Sequence, residues 1–217
     1  NGLIRPQNGG VWFRDRPVHE IGTAGMGRVL GLVFQNPDHM LFAATVREEA
    51  AFGPRNHGFS EGEIDRRVAS ALETVGLTGR EDLDPFIMTK GDRQKLAVAS
   101  ILASEPEVLV LDEPTTGLDA KEQAAMMDLL ARLNQAGHTI IIITHSVRIA
   151  ARYARRVVLL ENGRVLAEGP ARDVFARTDL LERTGLEAPP AVRLGLRFGL
   201  KTLDAAELEA ALTRSGS

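Results

Sequence analysis

Apolar residues along this chain occur in two patterns, short strand-like runs and longer stretches with helical spacing. The strand-like runs cover residues 29–34, 108–111 and 139–144. The run from Val108 to Leu111 consists of four branched apolar residues, which is typical of a parallel strand covered on both faces. Between the runs, apolar residues recur every three or four positions, as on one face of a helix. Strands that alternate with helices predict an α/β fold with a parallel sheet.

Capping residues indicate where several helices begin. Ser60 and Glu63 have the spacing of a capping box, and Asp119 and Glu122 repeat that spacing. The helical pattern first appears at Thr45. The predicted helices cover about 60–76, 93–103 and 119–134.

Turn signals organise the two ends of the chain. Residues 9–18 are predicted to form short strands around a polar turn. Residues 22–29 contain three glycines and are predicted to form a loop. Asn162 and Gly163 lie between two short apolar segments, and an Asn-Gly pair in that setting is a strong hairpin signal. Beyond Pro170, only mixed helical patterns are predicted.

Composition and charge exclude several classes of protein. The 217 residues include 26 basic and 29 acidic ones, for a net charge of −3, so no nucleic-acid partner is expected. The chain has no cysteine, which excludes disulfides and thiolate metal sites. No apolar run approaches the roughly 20 residues of a membrane span. We therefore expect any association with a membrane to go through a partner.

An acid pair directly follows the run of branched residues. Ligands of open α/β sheets bind beyond the carboxyl ends of the strands, so Asp112 and Glu113 are predicted to lie at a functional site. Acids at a strand end are also commonly just solvated, and the pair alone leaves both possibilities open. The longer string Val-Leu-Val-Leu-Asp-Glu-Pro-Thr-Thr-Gly-Leu-Asp, from Val108 to Asp119, resembles the Walker B motif and D-loop of ATP-binding-cassette (ABC) ATPases.

Further segments follow the order expected of an ABC nucleotide-binding domain. Gln35 resembles the Q-loop glutamine, Gly-Leu-Asp ending at Asp119 the D-loop, and His145 the switch histidine. The resemblance implies that Asp112 holds Mg²⁺ through water with help from Gln35, and that Glu113 orients and deprotonates the attacking water. It also implies that Gln35 and His145 belong to the catalytic set, that His145 bonds the γ-phosphate, and that Asp119 contacts nucleotide. A lone histidine after a strand is otherwise commonly a capping or solvated residue.

The ABC signature segment departs from its usual form. The family pattern Leu-Ser-Gly-Gly-Gln is replaced by Met88-Thr-Lys-Gly-Asp92 at the start of a helix. The resemblance implies that Thr89, Lys90, Gly91 and Asp92 contact nucleotide, with Thr89 keeping the hydroxyl and Gly91 one of the glycines. Lys90 adds a favourable charge, whereas Asp92 suits a helix N-terminus but sits poorly beside phosphate. A surface turn without such a role is the alternative.

A glycine-rich phosphate loop, G-x-x-x-x-G-K-[ST], does not occur in the sequence. Gly22 and Gly27 have the glycine spacing, but Arg28 and Val29 stand where Lys and Ser or Thr belong. The first residues, Asn-Gly-Leu-Ile-Arg-Pro, resemble the stretch that follows the phosphate loop in ABC ATPases by about one helix. We therefore expect the phosphate loop to lie upstream of residue 1, and the 217 residues alone to be inactive.

The segment from Phe34 to Pro54 indicates a subgroup. Its elements Asn-Pro-Asp, Thr-Val and Ala-Phe-Gly-Pro resemble the Q-loop region of the energy-coupling-factor (ECF) and cobalt/nickel importer ATPases. The tail, with Ala188-Pro-Pro-Ala-Val-Arg and Leu203-Asp-Ala-Ala-Glu-Leu, is similar to the C-terminal extension of that group. The apolar Met40, Leu41 and Phe42 are expected to contact a membrane scaffold subunit, unless they pack under the helical subdomain.

The resemblance implies a particular architecture and function. The expected fold is α/β, an ABC-type P-loop nucleotide-binding domain at 1–170 that is truncated at its N-terminus. It carries an inserted helical subdomain at about 43–104 and a small C-terminal helical extension at 171–217. With ATP and Mg²⁺ as cofactors, it would hydrolyse ATP to power an importer for a vitamin or transition-metal ion.

The implied partners place the protein peripherally at the cytoplasmic face of the cell membrane. They are a second ABC ATPase subunit, in a homo- or heterodimer, and transmembrane scaffold and substrate-binding membrane subunits. Two alternatives stay open. One is a non-transport ABC ATPase of DNA repair or translation, although neither a long coiled coil nor a second cassette is visible in the sequence. The other is a catalytically inactive partner module that lacks the phosphate loop.

Overall fold

The computed structural model describes residues 1–215, and the chain divides into two compact units, Asn1–Ile143 and the residues from Thr144 onward. The strands of the first unit are β1 (Trp12–Phe13), β2 (Arg16–Pro17), β3 (Leu30–Val33), β4 (Val108–Asp112) and β5 (Thr139–Ile143). Its α-helices are α1 (Val18–Val29), α2 (Val46–Asn56), α3 (Glu61–Val75), α4 (Lys90–Leu102) and α5 (Ala120–Gln135). The predicted α/β class is confirmed, whereas the predicted domain boundaries stay predictions.

A parallel sheet organises the first unit. Its three strands lie in the order β3-β4-β5, so β4 is central. The register pairs Val33 with Leu111 and Asp112 with Ile143, which brings the carboxyl ends of all three strands to one edge. Leu109 and Leu111 of β4 are fully buried. In β5, by contrast, Ile143 is 53% exposed, so that strand is covered less completely than the central one.

Capping residues set the ends of the helices between β3 and β4. Thr45 caps α2 by accepting a hydrogen bond from the Glu48 N–H, and the capping box of Ser60 and Glu63 opens α3. Gly76 ends α3 in the left-handed conformation, at φ 76°. The buried face of α3 consists of Ile64, Val68, Ala71, Leu72 and Val75. This spacing of three and four residues buries one helix face, and the helices predicted here are confirmed.

The loop prediction for residues 22–29 is wrong. These residues belong to α1, which is interrupted only at Gly22, where φ is 72° and ψ is 165°. Met26 is 2% exposed, and burial of this side chain offsets the roughly 0.5–1 kcal/mol by which each interior glycine disfavours a helix. The prediction relied on the incomplete match to a phosphate loop and on the position before an apolar run, and neither carries information about which side chains are buried.

The second unit combines a hairpin with short helices. Its elements are α6 (Val147–Tyr153), β6 (Arg156–Glu161), β7 (Arg164–Pro170), α7 (Ala171–Phe175), α8 (Thr178–Arg183), α9 (Pro190–Arg197) and α10 (Ala205–Ser215). The predicted hairpin turn is confirmed, since Asn162 and Gly163 both have positive φ, at 49° and 75°. Leu159, Phe175 and Leu181 lie in its hydrophobic core. Within residues 1–215, we find no helix with the length and apolar character that a membrane crossing requires.

Candidate functional site

The carboxyl edge of the parallel sheet carries the predicted metal-binding residues. Asp112 ends β4, and Gln35 follows the end of β3 by two residues. Because β3 and β4 are parallel and in register at Val33 and Leu111, both residues lie at the same edge of the sheet. Asp112 is half-buried and Gln35 is exposed. These two residues thus offer one carboxylate and one amide.

Glu113 has an unusual backbone conformation directly after β4. Its φ is 44°, in the left-handed region that non-glycine residues rarely adopt, and such a conformation costs about 1–3 kcal/mol. Two backbone hydrogen bonds hold it there. The Glu113 N–H donates to the Ile143 carbonyl at 2.9 Å, and the Glu113 carbonyl accepts from the Thr116 N–H at 3.1 Å. Strain of this kind concentrates at functional sites, so it supports a functional role for Glu113.

The turn that follows leads into a capped helix. Gly117 has a φ of 75°, and Thr115 is 6% exposed. The Asp119 carboxylate accepts a hydrogen bond from the Glu122 N–H at 2.8 Å, and the Glu122 carboxylate accepts one from the Asp119 N–H at 3.1 Å. The predicted capping box is therefore confirmed, and Asp119 has a structural task at the start of α5. Its contact with nucleotide stays a prediction.

Thr89 caps helix α4 with its hydroxyl. Thr89 Oγ1 accepts a hydrogen bond from the Asp92 N–H at 3.2 Å. A hydroxyl that accepts can still donate its own proton, so Thr89 retains a donor for a phosphate oxygen. Lys90 and Gly91 occupy the first turn of the helix, where backbone N–H groups have no partner within the helix. The start of α4 can therefore present several donors to an anion.

Asp92 is compensated by two cations. Its carboxylate accepts hydrogen bonds from Arg80 Nη1 at 2.6 Å and from Lys95 Nζ at 3.2 Å. Burial raises the pKa of Asp92, but these hydrogen bonds and charges outweigh burial and leave the pKa below its ordinary value. The side chain is therefore an ionised carboxylate engaged within the chain. This compensation lessens the conflict with phosphate that the sequence indicated.

The signature segment packs against the D-loop of the same unit. A Cβ on Gly91 would lie 2.5 Å from Oε1 of Glu122, so this position requires glycine unless Glu122 moves. A Cβ on Gly117 would likewise collide with the ammonium group of Lys90. The structure thus brings the start of α4 together with the turn that follows β4.

His145 belongs to the second unit, between β5 and α6, and is exposed. The neighbouring Ser146 caps α6 by accepting a hydrogen bond from the Ile149 N–H at 3.4 Å. Capping is therefore assigned to Ser146, and the role of His145 at the γ-phosphate stays a prediction.

The residues at the sheet edge suit Mg²⁺, which is seldom bound by protein ligands alone. Among residues 1–215, no group of three or more His, Cys, Asp or Glu gathers into a metal site. Mg²⁺ prefers oxygen ligands and is commonly held by one or two carboxylates together with water and substrate phosphates. Asp112 and Gln35 both offer oxygen ligands, so the residues present fit that mode of binding.

Two arginines near the signature segment, Arg80 and Arg93, were not predicted from the sequence to contribute to the site. Arg80 pairs with Asp92, and Arg93 forms an ion pair with Asp38 at 2.8 Å. The partners are 12 and 55 positions apart in the chain, so no local pattern links them. Isolated charges of this kind look like solvated side chains until the fold is known.

Comparison with known proteins agrees with this geometry. The ABC transporter family profile matches residues 1–116. The structure of cbiO1 from Clostridium perfringens, which is part of the ABC transporter complex cbiONQ, superposes with a TM-score of 0.74 at 34% identity. That superposition covers 84% of this chain and 74% of cbiO1.

Two relatives known by sequence give the same assignment. The energy-coupling factor transporter ATP-binding protein EcfA of Methanocaldococcus jannaschii is 40% identical, over 89% of this chain and 70% of EcfA. A protein of Caldanaerobacter subterraneus subsp. tengcongensis, provisionally named an ABC transporter ATP-binding protein, is 46% identical over 96% of this chain. The chain spans only 37% of that longer protein. On the profile, the fold and these identities together, the chain belongs to the ATP-binding proteins of the ABC transporter family.

Proposed function

We propose that this chain is the ATP-hydrolysing part of an ECF-type importer, for a vitamin or a transition-metal ion. The observation that carries the proposal is the strained Glu113, held by the backbone directly after Asp112 at the carboxyl edge of the sheet. Such a position suits a general base beside a metal-bound phosphate. The names of the ECF relatives and the resemblance of residues 34–54 support the choice of importer.

Each residue at the proposed site has a distinct task. Asp112 and Gln35 would hold Mg²⁺, which neutralises charge on the phosphates when it is bound. Glu113 would accept the proton of the attacking water. Thr89, with the N–H groups that follow it, would bind a phosphate of ATP on a second ATPase subunit. For His145, which belongs to the second unit, a hydrogen bond to the γ-phosphate is proposed from the sequence resemblance alone.

The proposed contact with a membrane scaffold subunit uses aromatic side chains that face solvent. Phe42 and Phe52 are 59% and 48% exposed and form an edge-to-face pair with ring centroids 4.7 Å apart. Leu41 is buried and Met40 is half-buried, so of the apolar trio at 40–42 Phe42 is the residue most available to a partner. Apolar side chains of this size exposed together are typical of interaction sites. A scaffold helix docked here would bring the protein to the cytoplasmic face of the membrane.

A buried carboxylate fixes the loop that presents Phe42. Glu49 is 3% exposed, and its Oε2 accepts hydrogen bonds from the backbone N–H groups of Phe42 and Ala43 at 2.8 and 2.9 Å. A loop held in one conformation loses less entropy on binding. Glu49 therefore supports a preformed docking surface.

The Mg²⁺ dependence of ATP hydrolysis tests the proposal. We expect the complete protein to hydrolyse ATP, and Asp112→Asn to raise the Mg²⁺ concentration that gives half-maximal turnover. Asp65→Asn, on an exposed residue of α3, is the matched control and should leave that concentration unchanged. If the complete protein bound ATP without hydrolysing it, a catalytically inactive partner module would be the better description.

A further inference from the structure

Arg93 contacts two chain segments, the turn that contains Asp38 and the residues just before helix α4. It lies in the first turns of α4, and its side chain is only 19% exposed. Nη1 donates a hydrogen bond to the Met88 carbonyl at 2.6 Å. Nε lies 2.8 Å from Oδ1 of Asp38, outside the angle of a good hydrogen bond, so this contact is chiefly electrostatic. One guanidinium thus joins two segments that are distant in sequence.

The first segment is the short 3-10 turn Pro37–His39, which begins two residues after Gln35. The Asn36 side chain accepts a hydrogen bond from the Asp38 N–H at 3.2 Å, and the Pro37 carbonyl accepts from the Met40 N–H at 2.9 Å. Pro37 itself is buried. The turn is therefore a compact element, through which a displacement of Gln35 would reach the Asp38 carboxylate.

The second segment is the entry to the signature. Met88 directly precedes the capping residue Thr89 and is 7% exposed. Its carbonyl lies outside the helix, so the hydrogen bond from Arg93 fixes the chain just before the donors at the start of α4. A shift of Arg93 would therefore change where Thr89 and the following N–H groups point.

We propose that Arg93 is a positioning residue that couples the Gln35 segment to the signature segment through Asp38. The inference rests on the proposed function, because the coupling matters only when both segments belong to nucleotide sites. The Arg93 side chain is 19% exposed and Asp38 is 45% exposed, so loss of the Asp38 carboxylate leaves the more buried charge, that of Arg93, without compensation. In a pair of ATPase subunits, Gln35 would belong to one nucleotide site and Thr89 to the other. A change at Gln35 would thus reach the second site through Asp38 and Arg93.

A double-mutant cycle in the complete protein tests the coupling. The variants are Asp38→Asn, Arg93→Gln, their combination, and Arg93→Lys. We expect each of the first two to lower kcat by about 3- to 10-fold, a size typical of coupled contacting residues, while KM for ATP changes by less than about 2-fold. The combination should fall no further than Arg93→Gln alone. Arg93→Lys should be intermediate, because one ammonium keeps the charge but does not serve both partners.

The matched control is the exposed ion pair of Arg47 on α2 with Asp65 on α3, 3.3 Å apart. Arg47→Gln, Asp65→Asn and their combination should leave kcat unchanged. Thermal unfolding of every variant separates a loss of turnover from a loss of folded protein. If the effects of Asp38→Asn and Arg93→Gln multiplied, or if Asp38→Asn retained full turnover, the inference would be overturned. A wild-type protein without ATP hydrolysis would instead refute the proposed function, and the inference with it.

Discussion

Replacing Asp92 by Asn should destabilise the protein in a pH-dependent way. The change removes the charge that accepts hydrogen bonds from Arg80 and Lys95 but keeps the shape of the side chain. Asp92 is 17% exposed, whereas its partners are 44% and 33% exposed, so solvent weakens the two contacts. Hydrogen bonds to charged groups contribute about 1.5–3 kcal/mol when buried and exposed pairs about 0.2–1 kcal/mol. We therefore expect a loss of about 1–2 kcal/mol at pH 7.

The sign of the pH dependence follows from the lowered pKa of Asp92. A carboxylate whose pKa is lower in the folded state stabilises the fold above its unfolded pKa, for which the ordinary value is 3.8. That contribution is lost as the pH falls through the folded pKa. The difference between wild type and Asp92→Asn should thus be full at pH 7 and shrink steadily below about pH 4.

Urea unfolding between pH 3 and pH 7 measures this difference directly. At pH 7, a loss of 1 kcal/mol corresponds to about 2–4 °C in Tm for a chain of this size, which gives a second readout. Asp65→Asn is the matched control, because Asp65 is 69% exposed and its pair with Arg47 is screened by water. A difference for Asp92→Asn that stayed constant across the pH range would refute the reasoning, since it would show a loss of packing and not of charge.

Three further variants, each of a single residue, address the site and its surroundings. Glu113→Gln keeps the shape of the side chain but removes the base, so turnover of the complete protein should fall by at least about 10²-fold while ATP-dependent dimerisation persists; unchanged turnover would assign the base elsewhere. Gly91→Ala should lower the free energy of unfolding by about 0.5–2 kcal/mol, because the new Cβ displaces Glu122 from its capping box. Gly62→Ala, with open space around it, should be neutral or stabilising, and equal effects of the two variants in denaturant titrations would contradict this contact. Phe42→Glu should abolish co-purification with the scaffold subunit while ATPase activity survives, and Phe198→Glu, with 60% exposure, is the matched control; retention by both would exclude docking at Phe42.

The sequence was most informative where structure depends on near neighbours. The strand that ends at Asp112 and the capping boxes at Ser60 and Asp119 are confirmed, because each is specified by residues within a few positions of one another. The hairpin at Asn162 follows the same logic.

Features that depend on tertiary contacts could not be predicted. The helical state of residues 22–29 depends on burial of Met26, which glycine spacing does not report. The pairing of Arg93 with Asp38 joins positions 55 apart, and the compensation of Asp92 by Arg80 requires the helices to be in place. The positive φ of Glu113 is likewise invisible in the sequence, since glutamate gives no local signal for a left-handed backbone.

With Glu113 as the proposed general base, its left-handed backbone sets ATP hydrolysis against thermal stability at a single position. Because glycine adopts a φ of 44° freely, Glu113→Gly would relieve strain of about 1–3 kcal/mol, offset in part by the greater entropy of the unfolded chain. Selection for heat resistance alone would therefore favour loss of glutamate here, and selection for turnover would restore it. A library of variants sorted first by survival on heating and then by ATP hydrolysis should separate the two pressures at residue 113, with glycine enriched in the first sort and eliminated in the second.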